Sequence, residues 1–402
     1  MSINKQVIYL LLSQLLVIAC LDMADPYWPL IVRQIGHSHS LHAQSIWTTL
    51  IYMAPYGITI ISAPIWAYLG KHLGYKKMIV RACVVLALTQ IMIFMASSLW
   101  QVLCLRLIQG GFAGFTAAAQ AWLLCSTEEK KHGYFIGKVQ AVMALGSIIG
   151  PVLGGAIAHY ISYDAIFLIA GIMFASVCVV LVVVLAETSY QPFRMPRLFS
   201  WSSIKAISRE NAFLCLLIVG GQTLKWMSAS FFSLYVIDNL AGNNLTVGVL
   251  YAMIAGAIIL SSMMVGRWSY QLNQHVVLAR YGLLVCLLTA AISQLLYASS
   301  QSISLAVLSS CLWGLCLGVT CTMPFSLLVQ RTPAKQKGMV VGLGTSASKL
   351  GNLMGIGLGG CIYILTTIQL AFVAIAVGYV LLFIVVLLCS SCLKKPILSQ
   401  AS

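Results

Sequence analysis

Apolar residues run through this chain in long stretches broken by short polar segments. The stretches fall at about 7–32, 46–69, 78–99, 101–124, 135–160 and 165–186, and the rhythm returns at about 212–237, 245–267, 276–298, 303–329, 339–364 and 368–390. Each is long enough to cross a hydrocarbon layer of about 30 Å, which takes about 20 residues of helix. A helix satisfies its backbone hydrogen bonds within one segment, as lipid requires, so the pattern predicts an all-α integral membrane protein with twelve transmembrane helices. The one long polar segment, 187–211, holds Arg194, Arg197, Lys205 and Arg209 with Pro192 and Pro196. It divides the chain into an N-terminal six-helix bundle over 1–186, a cytoplasmic linker over 187–211 and a C-terminal six-helix bundle over 212–402. The apolar opening at Val7 is too long for a removable leader and lacks its small-residue cleavage site, so it is read as the first span.

Composition sharpens this picture. Of 402 residues 60% are hydrophobic and 8% charged, where a soluble domain carries about 25% charged residues. That excludes a soluble enzyme. The net charge of +15 does not point to nucleic acid, because the basic residues are scattered between apolar runs rather than gathered on a solvated face. They report topology instead. With the N-terminus inside, 19 of the 23 lysines and arginines fall at cytoplasmic span ends, Arg33 falls outside, and Arg106, Lys225 and Lys349 lie within spans. Both termini are therefore expected to be cytoplasmic, in a bacterial inner membrane. The 13 cysteines sit in apolar stretches at irregular spacing and read as reduced packing residues.

An internal repeat supports the two-bundle division. Gly146, Gly150, Gly154 and Gly155 in the fifth span recur as Gly351, Gly355, Gly359 and Gly360 in the eleventh at a constant offset of 205, and Arg81 and Arg280 open the third and ninth spans at an offset of 199. Parallel halves of this kind are one transporter layout, with substrate near the midplane and alternating access around it.

Three segments carry a resemblance to the twelve-span drug:proton antiporters of the major facilitator superfamily, over about 7–390. Gly146-Ser147-Ile148-Ile149-Gly150-Pro151-Val152-Leu153-Gly154-Gly155 resembles the fifth-span antiporter motif; small residues four apart let helices approach, and Pro151 weakens the helix at one point. Leu105-Arg106-Leu107-Ile108-Gln109-Gly110 resembles the fourth-span motif whose arginine takes part in proton coupling. The loop after the second span keeps Leu69, Gly74 and Lys76, but Lys71 stands where the family usually has aspartate. A cytoplasmic charge contact that favours one conformation in the family cannot form in the usual way, which puts gating and direction in question. The resemblance implies the major facilitator fold in two pseudo-symmetric bundles, protons as the driving ion and a small organic substrate.

The charges inside the spans refine the expectation. An arginine in hydrocarbon should face a cavity or a carboxylate, and Asp22 and Asp25 in the first span lie at compatible depth, about 15 and 10 Å from the outer end against about 9 Å for Arg106. Carboxylate beside guanidinium is balanced between burial and charge, so rearranging the pair can move a proton; a static pair that orients helices is the alternative. Lys225 and Lys349 lie about 20 and 15 Å from the inner ends of the seventh and eleventh spans. In the fold that the resemblance implies, Lys225 with Gln222 and Trp226 lines the central cavity. Asp22 and Asp25 against three cations make that interior net positive, which favours anions, including carboxylate-rich siderophores, where a pump for lipophilic cations would place a carboxylate among aromatics. The bland alternative is that the lysines snorkel or lose their charge.

His37, His39 and His42 and the Cys389–Cys392 pair have metal-like spacing but read as solvated and unpaired groups, so no metal and no cofactor is expected. Asn244-Leu245-Thr246 fits a glycosylation acceptor, and no GxxxxGK[ST] loop is present to bind ATP. The expected protein is a monomeric, proton-coupled efflux antiporter of the multidrug type, with organic-anion transport in either direction, or a non-transporting receptor of the same fold, as rivals. No His/Asp/Ser constellation at matching depth suggests an enzyme.

Overall fold

The computed structural model describes residues 3–37, 40–112, 114–128, 132–187, 211–274, 276–330, 332 and 337–389. Among them, twelve helices are long and apolar enough to cross a membrane: α1 (Ile3–Ile35), α2 (Leu41–Ala63), α3 (Tyr75–Phe94), α4 (Leu99–Ser126), α5 (Tyr134–Tyr160), α6 (Tyr163–Val184), α7 (Ala212–Ser230), α8 (Asn244–Arg267), α9 (Ala279–Ser299), α10 (Ile303–Gln330), α11 (Val340–Leu365) and α12 (Ile368–Leu388). The order and number of spans agree with the hydropathy reading. The linker positions Arg194, Arg197, Lys205 and Arg209 lie outside the described residues.

Three helices are less regular than hydropathy alone suggests. In α1 a 3-10 turn occupies Asp25–Tyr27, and the helix resumes over Trp28–Ile35. Pro26 and Pro29 have no N–H to donate four residues back, and their rings crowd the preceding turn. In α4 the helix is interrupted at Gly114, which adopts φ +90°, a conformation that suits glycine and strains other residues, and regular helix runs on from Phe115. In α7 the regular helix ends at Trp226 and passes into a 3-10 turn over Met227–Ser230, with a π turn over Tyr235–Asn239 beyond. The breaks in α1 and α7 sit at Asp25 and beside Lys225.

The chain divides into two compact units. The first comprises Met1–Phe193 together with Phe232–Ala252, and the second Arg194–Phe231 together with Met253–Ser402. Within the first, α1 packs on α5, α2 on α4 and α3 on α6. Within the second, α7 packs on α11, α9 on α12, and α8 approaches α10 at Gly314 and Gly318. The pairing scheme is thus the same in both units. Gly110 of α4 sits against the backbone of Pro55 in α2, and Gly314 of α10 sits against that of Ile254 in α8.

Candidate functional site

The helices that carry the intramembrane charges are set by glycines. A methyl group placed on Gly150 would stand 2.5 Å from the Ala19 carbonyl oxygen and 2.9 Å from Cβ of Asp22; one on Gly146 would meet Ile18 and the Leu15 carbonyl at 3.0 Å, and one on Gly154 would collide with the Met23 carbonyl. Real side chains do not fit at such distances, so α1 and α5 touch backbone to backbone. Asp22 is thereby held against α5. The same contacts recur between α7 and α11: Gly351 faces the Val219 carbonyl and Gln222, Gly355 faces the Thr223 carbonyl and Trp226, and Gly359 faces the Met227 carbonyl.

Arg106 lies buried in α4 and ties together the helices around it. Its Nε donates to the Ile51 carbonyl at 3.2 Å, its Nη1 donates to Oε1 of Gln109 at 3.1 Å, and its guanidinium stands 4.8 Å from the centre of the Trp28 ring. The Ile51 carbonyl is available for a reason readable in the chain. Four residues later comes Pro55, which has no N–H with which to close that turn of α2. Gln109 is fixed in turn: its Nε2 donates to Oγ1 of Thr89 at 3.1 Å, while the Thr89 hydroxyl donates to the Val85 carbonyl at 2.7 Å. The Thr89 oxygen can therefore only accept from Gln109, and the amide oxygen must face Arg106.

Asp25 stands in the 3-10 turn of α1, half-buried, with its carboxylate within electrostatic reach of Arg106. Pro29 leaves the Asp25 backbone carbonyl without its helical donor, and the Tyr52 hydroxyl donates to it instead. Tyr56 lies within electrostatic reach of Asp25, Asp22 and Arg106, and Tyr251 within that of Asp25. The sequence reading brought forward Asp22, Asp25, Arg106, Gln109 and Gly110 but passed over Trp28, Tyr52, Tyr56, Thr89 and Tyr251. Pro29 and Pro55, each four residues after an orphaned carbonyl, were the signal for two of these contacts.

At the end of the first unit where α5 leads into α6, polar contacts join α1, α5 and α6 to the segment Phe232–Ala252. Tyr27 places its hydroxyl 3.2 Å from the Pro151 carbonyl and 3.0 Å from the Asn244 carbonyl. The Asn244 side chain accepts from the Tyr163 hydroxyl at 2.8 Å and donates to the Ala158 carbonyl at 3.0 Å. Both ends of this amide are occupied, so in this conformation Asn244 cross-links α6 and α5 to α8. Arg33 and Asp238 form an ion pair at 2.8 Å, 39% and 46% exposed. His37 places Nδ1 3.2 Å from the Gln34 carbonyl oxygen, and no group of three or more metal-binding side chains occurs among the described residues. His39 and Cys392 lie outside them.

In the second unit, Gln222, Lys225, Trp226 and Lys349 are all half-buried on α7 and α11. The Lys225 ammonium stands 5.8 Å from the Trp226 ring centre. The charges of Lys225 and Lys349 act on each other, and Lys225 also acts on Cys321 of α10.

Comparison with known proteins places this architecture. Residues 10–288 match the Major Facilitator Superfamily. The chain belongs to that superfamily. It is a membrane transporter and not an enzyme. It is 25% identical over 355 residues to the multidrug resistance protein MdtG of Salmonella arizonae (strain ATCC BAA-731 / CDC346-86 / RSK2980), covering 86% of this chain and 85% of that one. It is equally 25% identical over 383 residues to the Staphyloferrin B transporter of Staphylococcus aureus (strain NCTC 8325 / PS 47), covering 92% and 88%. The crystal structure of a bacterial homologue of the human lysosomal transporter Spinster, inward-facing and unoccupied, superposes with a TM-score of 0.79 at 14% identity over 99% of each chain, a likeness of fold. Within this superfamily member, the loop after α2 keeps its glycine: Gly74 has φ +92° and donates from its N–H to the Gly70 carbonyl at 3.1 Å, opening α3. Leu69 and Lys71 lie in the last turns of the helix Leu41–Leu73 and Lys76 in the first turn of α3.

Proposed function

We propose that this transporter is a proton-coupled antiporter that exports small organic molecules, in the manner of the multidrug efflux proteins it is similar to. The observation that carries the reading is Arg106, a buried cation held by α1, α2 and α4 within electrostatic reach of Asp25. A charge so placed is costly to keep without a use. Asp25 or Asp22 exchanges the proton; Arg106 stabilises the ionised carboxylate and yields it when the helices rearrange. Gln109 and Gly110 hold Arg106 and the α2–α4 contact, while Gly146, Gly150, Pro151, Gly154 and Gly155 form the surface on which α1 moves. Leu69, Lys71, Gly74 and Lys76 form the inner gating loop, with a lysine in the place of the usual aspartate. The halves 1–186 and 212–402, joined by the linker 187–211, alternate access to the two sides. The protein works as a monomer, without nucleic acid, in a bacterial inner membrane with both termini cytoplasmic.

The test is proton-driven uptake into inverted vesicles or proteoliposomes. Arg106→Ala removes two charge-assisted hydrogen bonds, worth about 1.5–3 kcal/mol each, and should lower uptake driven by a pH gradient at least tenfold, while Asp25→Asn should abolish its dependence on the gradient. Unchanged coupling in both variants would remove the proposed proton site. Absence of transport for any compound by the unaltered protein would instead favour a receptor role.

A second reading, transport of organic anions including carboxylate siderophores, is favoured by one observation: Lys225 and Lys349 share the α7–α11 contact, and no acidic residue follows Asp238 in the chain. The name of the Staphyloferrin B transporter, to which the chain is similar over most of its length, supports that reading.

A further inference from the structure

The α7–α11 contact fixes the register of two lysines. Cβ of Gln222 lies 2.7 Å from where a methyl group on Gly351 would stand, and Cβ of Trp226 lies 3.0 Å from its counterpart on Gly355. One turn of α7, from Gln222 to Trp226, is thus pressed against one turn of α11. Lys225 lies in that turn, at the point where the regular helix of α7 ends. Lys349 lies two residues before Gly351. Both are half-buried, and their charges act on each other.

The matching turn of α1 and α5 shows what the fold needs at these positions. Gly146 and Gly150 face Ile18 and Asp22 as Gly351 and Gly355 face Gln222 and Trp226, so the register runs at offsets of 204 along α1 and α7 and 205 along α5 and α11. Lys225 then corresponds to Leu21 and Lys349 to Ala144. Neither matching position carries a charge in the first unit, so the backbone contact does not itself require a lysine at either place. Two ammonium groups brought together inside a helical bundle repel and lose hydration. No carboxylate of α8–α12 can relieve them, because none exists in the chain after Asp238. An anion from outside can.

We propose that Lys225 and Lys349 form a two-point receptor for a ligand carrying two separated carboxylates. The ammonium groups come from different helices, so each meets its own anionic group, and the Trp226 ring beside Lys225 flanks the apolar spacer between them. Gln222, pressed against Gly351 one helical turn before Trp226, supplies a neutral donor. This site deepens the anion reading above and rests on it.

The experiment measures binding to the detergent-purified full-length protein by calorimetry at fixed ionic strength. The probes are glutarate, adipate, pimelate and suberate, the monocarboxylates of equal length, and inorganic phosphate. One dicarboxylate length should bind at least tenfold tighter than its monocarboxylate partner. Lys225→Gln and Lys349→Gln should each bring the two to equal affinity, and Lys→Arg at either position should restore the preference for two carboxylates. The arginine variants also show whether a glutamine variant has merely failed to fold. Arg33→Ala, which removes an exposed cation of the first unit, should bind as the parent does, which separates this site from a general loss of positive charge. Equal binding of mono- and dicarboxylates, tighter binding of phosphate than of any dicarboxylate, or a Lys349→Gln protein with unchanged preference would overturn the two-point site while leaving the anion reading standing. Failure of every anion to bind would overturn both.

Discussion

The helix pairs α1–α5 and α7–α11 are built on one plan and carry opposite chemistry. In each, three glycines four apart press against backbone carbonyls of the facing helix, those of Leu15, Ala19 and Met23 in one and of Val219, Thr223 and Met227 in the other. Opposite the middle glycine stands Asp22 in the first pair and Trp226 in the second. The flanking charges are Asp25 in one and Lys225 with Lys349 in the other. A repeated backbone contact fixes where a side chain sits and leaves open what it is. The difference teaches that the fold repeats the backbone contact while the sequence sets acids beside one copy and lysines beside the other.

The contact itself is the most sensitive part. Gly154→Leu or Gly359→Leu would force a side chain into a carbonyl of the facing helix, and overpacking of this kind costs about 1–3 kcal/mol where neighbours can yield; here backbone would have to move. Both variants should lose the monodisperse peak in size-exclusion chromatography in detergent, and a surviving peak in one alone would show that the two contacts are not equivalent.

The acid side is sharpened through the residues that hold Arg106. Thr89→Val keeps the shape of the side chain but removes the acceptor that orients Gln109, leaving a buried amide donor unsatisfied at a cost of about 1–3 kcal/mol. Uptake driven by a pH gradient should fall about tenfold with its pH profile displaced, and Thr89→Ser should restore it. An unaltered pH profile in Thr89→Val would show that Arg106 is held without Gln109. Pro55→Ala gives the Ile51 carbonyl a helical donor that competes with Arg106. It should raise thermal stability, since an interior proline costs a helix about 3 kcal/mol, while weakening coupling.

The contacts around Asn244 and Arg33 should matter least. Asn244→Ala removes two hydrogen bonds, each worth about 0.5–1.5 kcal/mol, and should lower the melting temperature by a few degrees; Tyr163→Phe should give about half that effect. Arg33→Ala breaks an exposed ion pair and should change stability by less than about 1 kcal/mol, less still in high salt. A larger loss for Arg33→Ala than for Asn244→Ala would reverse that ranking.

Much of this was legible along the chain. Twelve spans follow from hydropathy because lipid leaves a helical segment little choice. The glycine repeat follows from the offset of 205, and the charges stand out because an apolar background makes each one conspicuous. Partners were harder to read. Arg106 looked like half of an ion pair with Asp22 or Asp25, but its donated hydrogen bonds run to the Ile51 carbonyl and Gln109, with Asp25 acting through space. Asn244 fitted a glycosylation triplet, and the structure spends both ends of its amide on Tyr163 and Ala158.

The sequence by itself determined the number of spans, the glycine surfaces and which charges fall within spans, because hydrophobic transfer and helical rise are local quantities summed over about 20 residues. The tertiary structure alone decided which group answers each orphaned carbonyl and buried donor. A hydrogen bond depends on distances of about 3 Å between residues far apart in the chain, and Thr89 came within that range of Gln109, and Tyr52 within that range of the Asp25 carbonyl, through the packing of α1–α4.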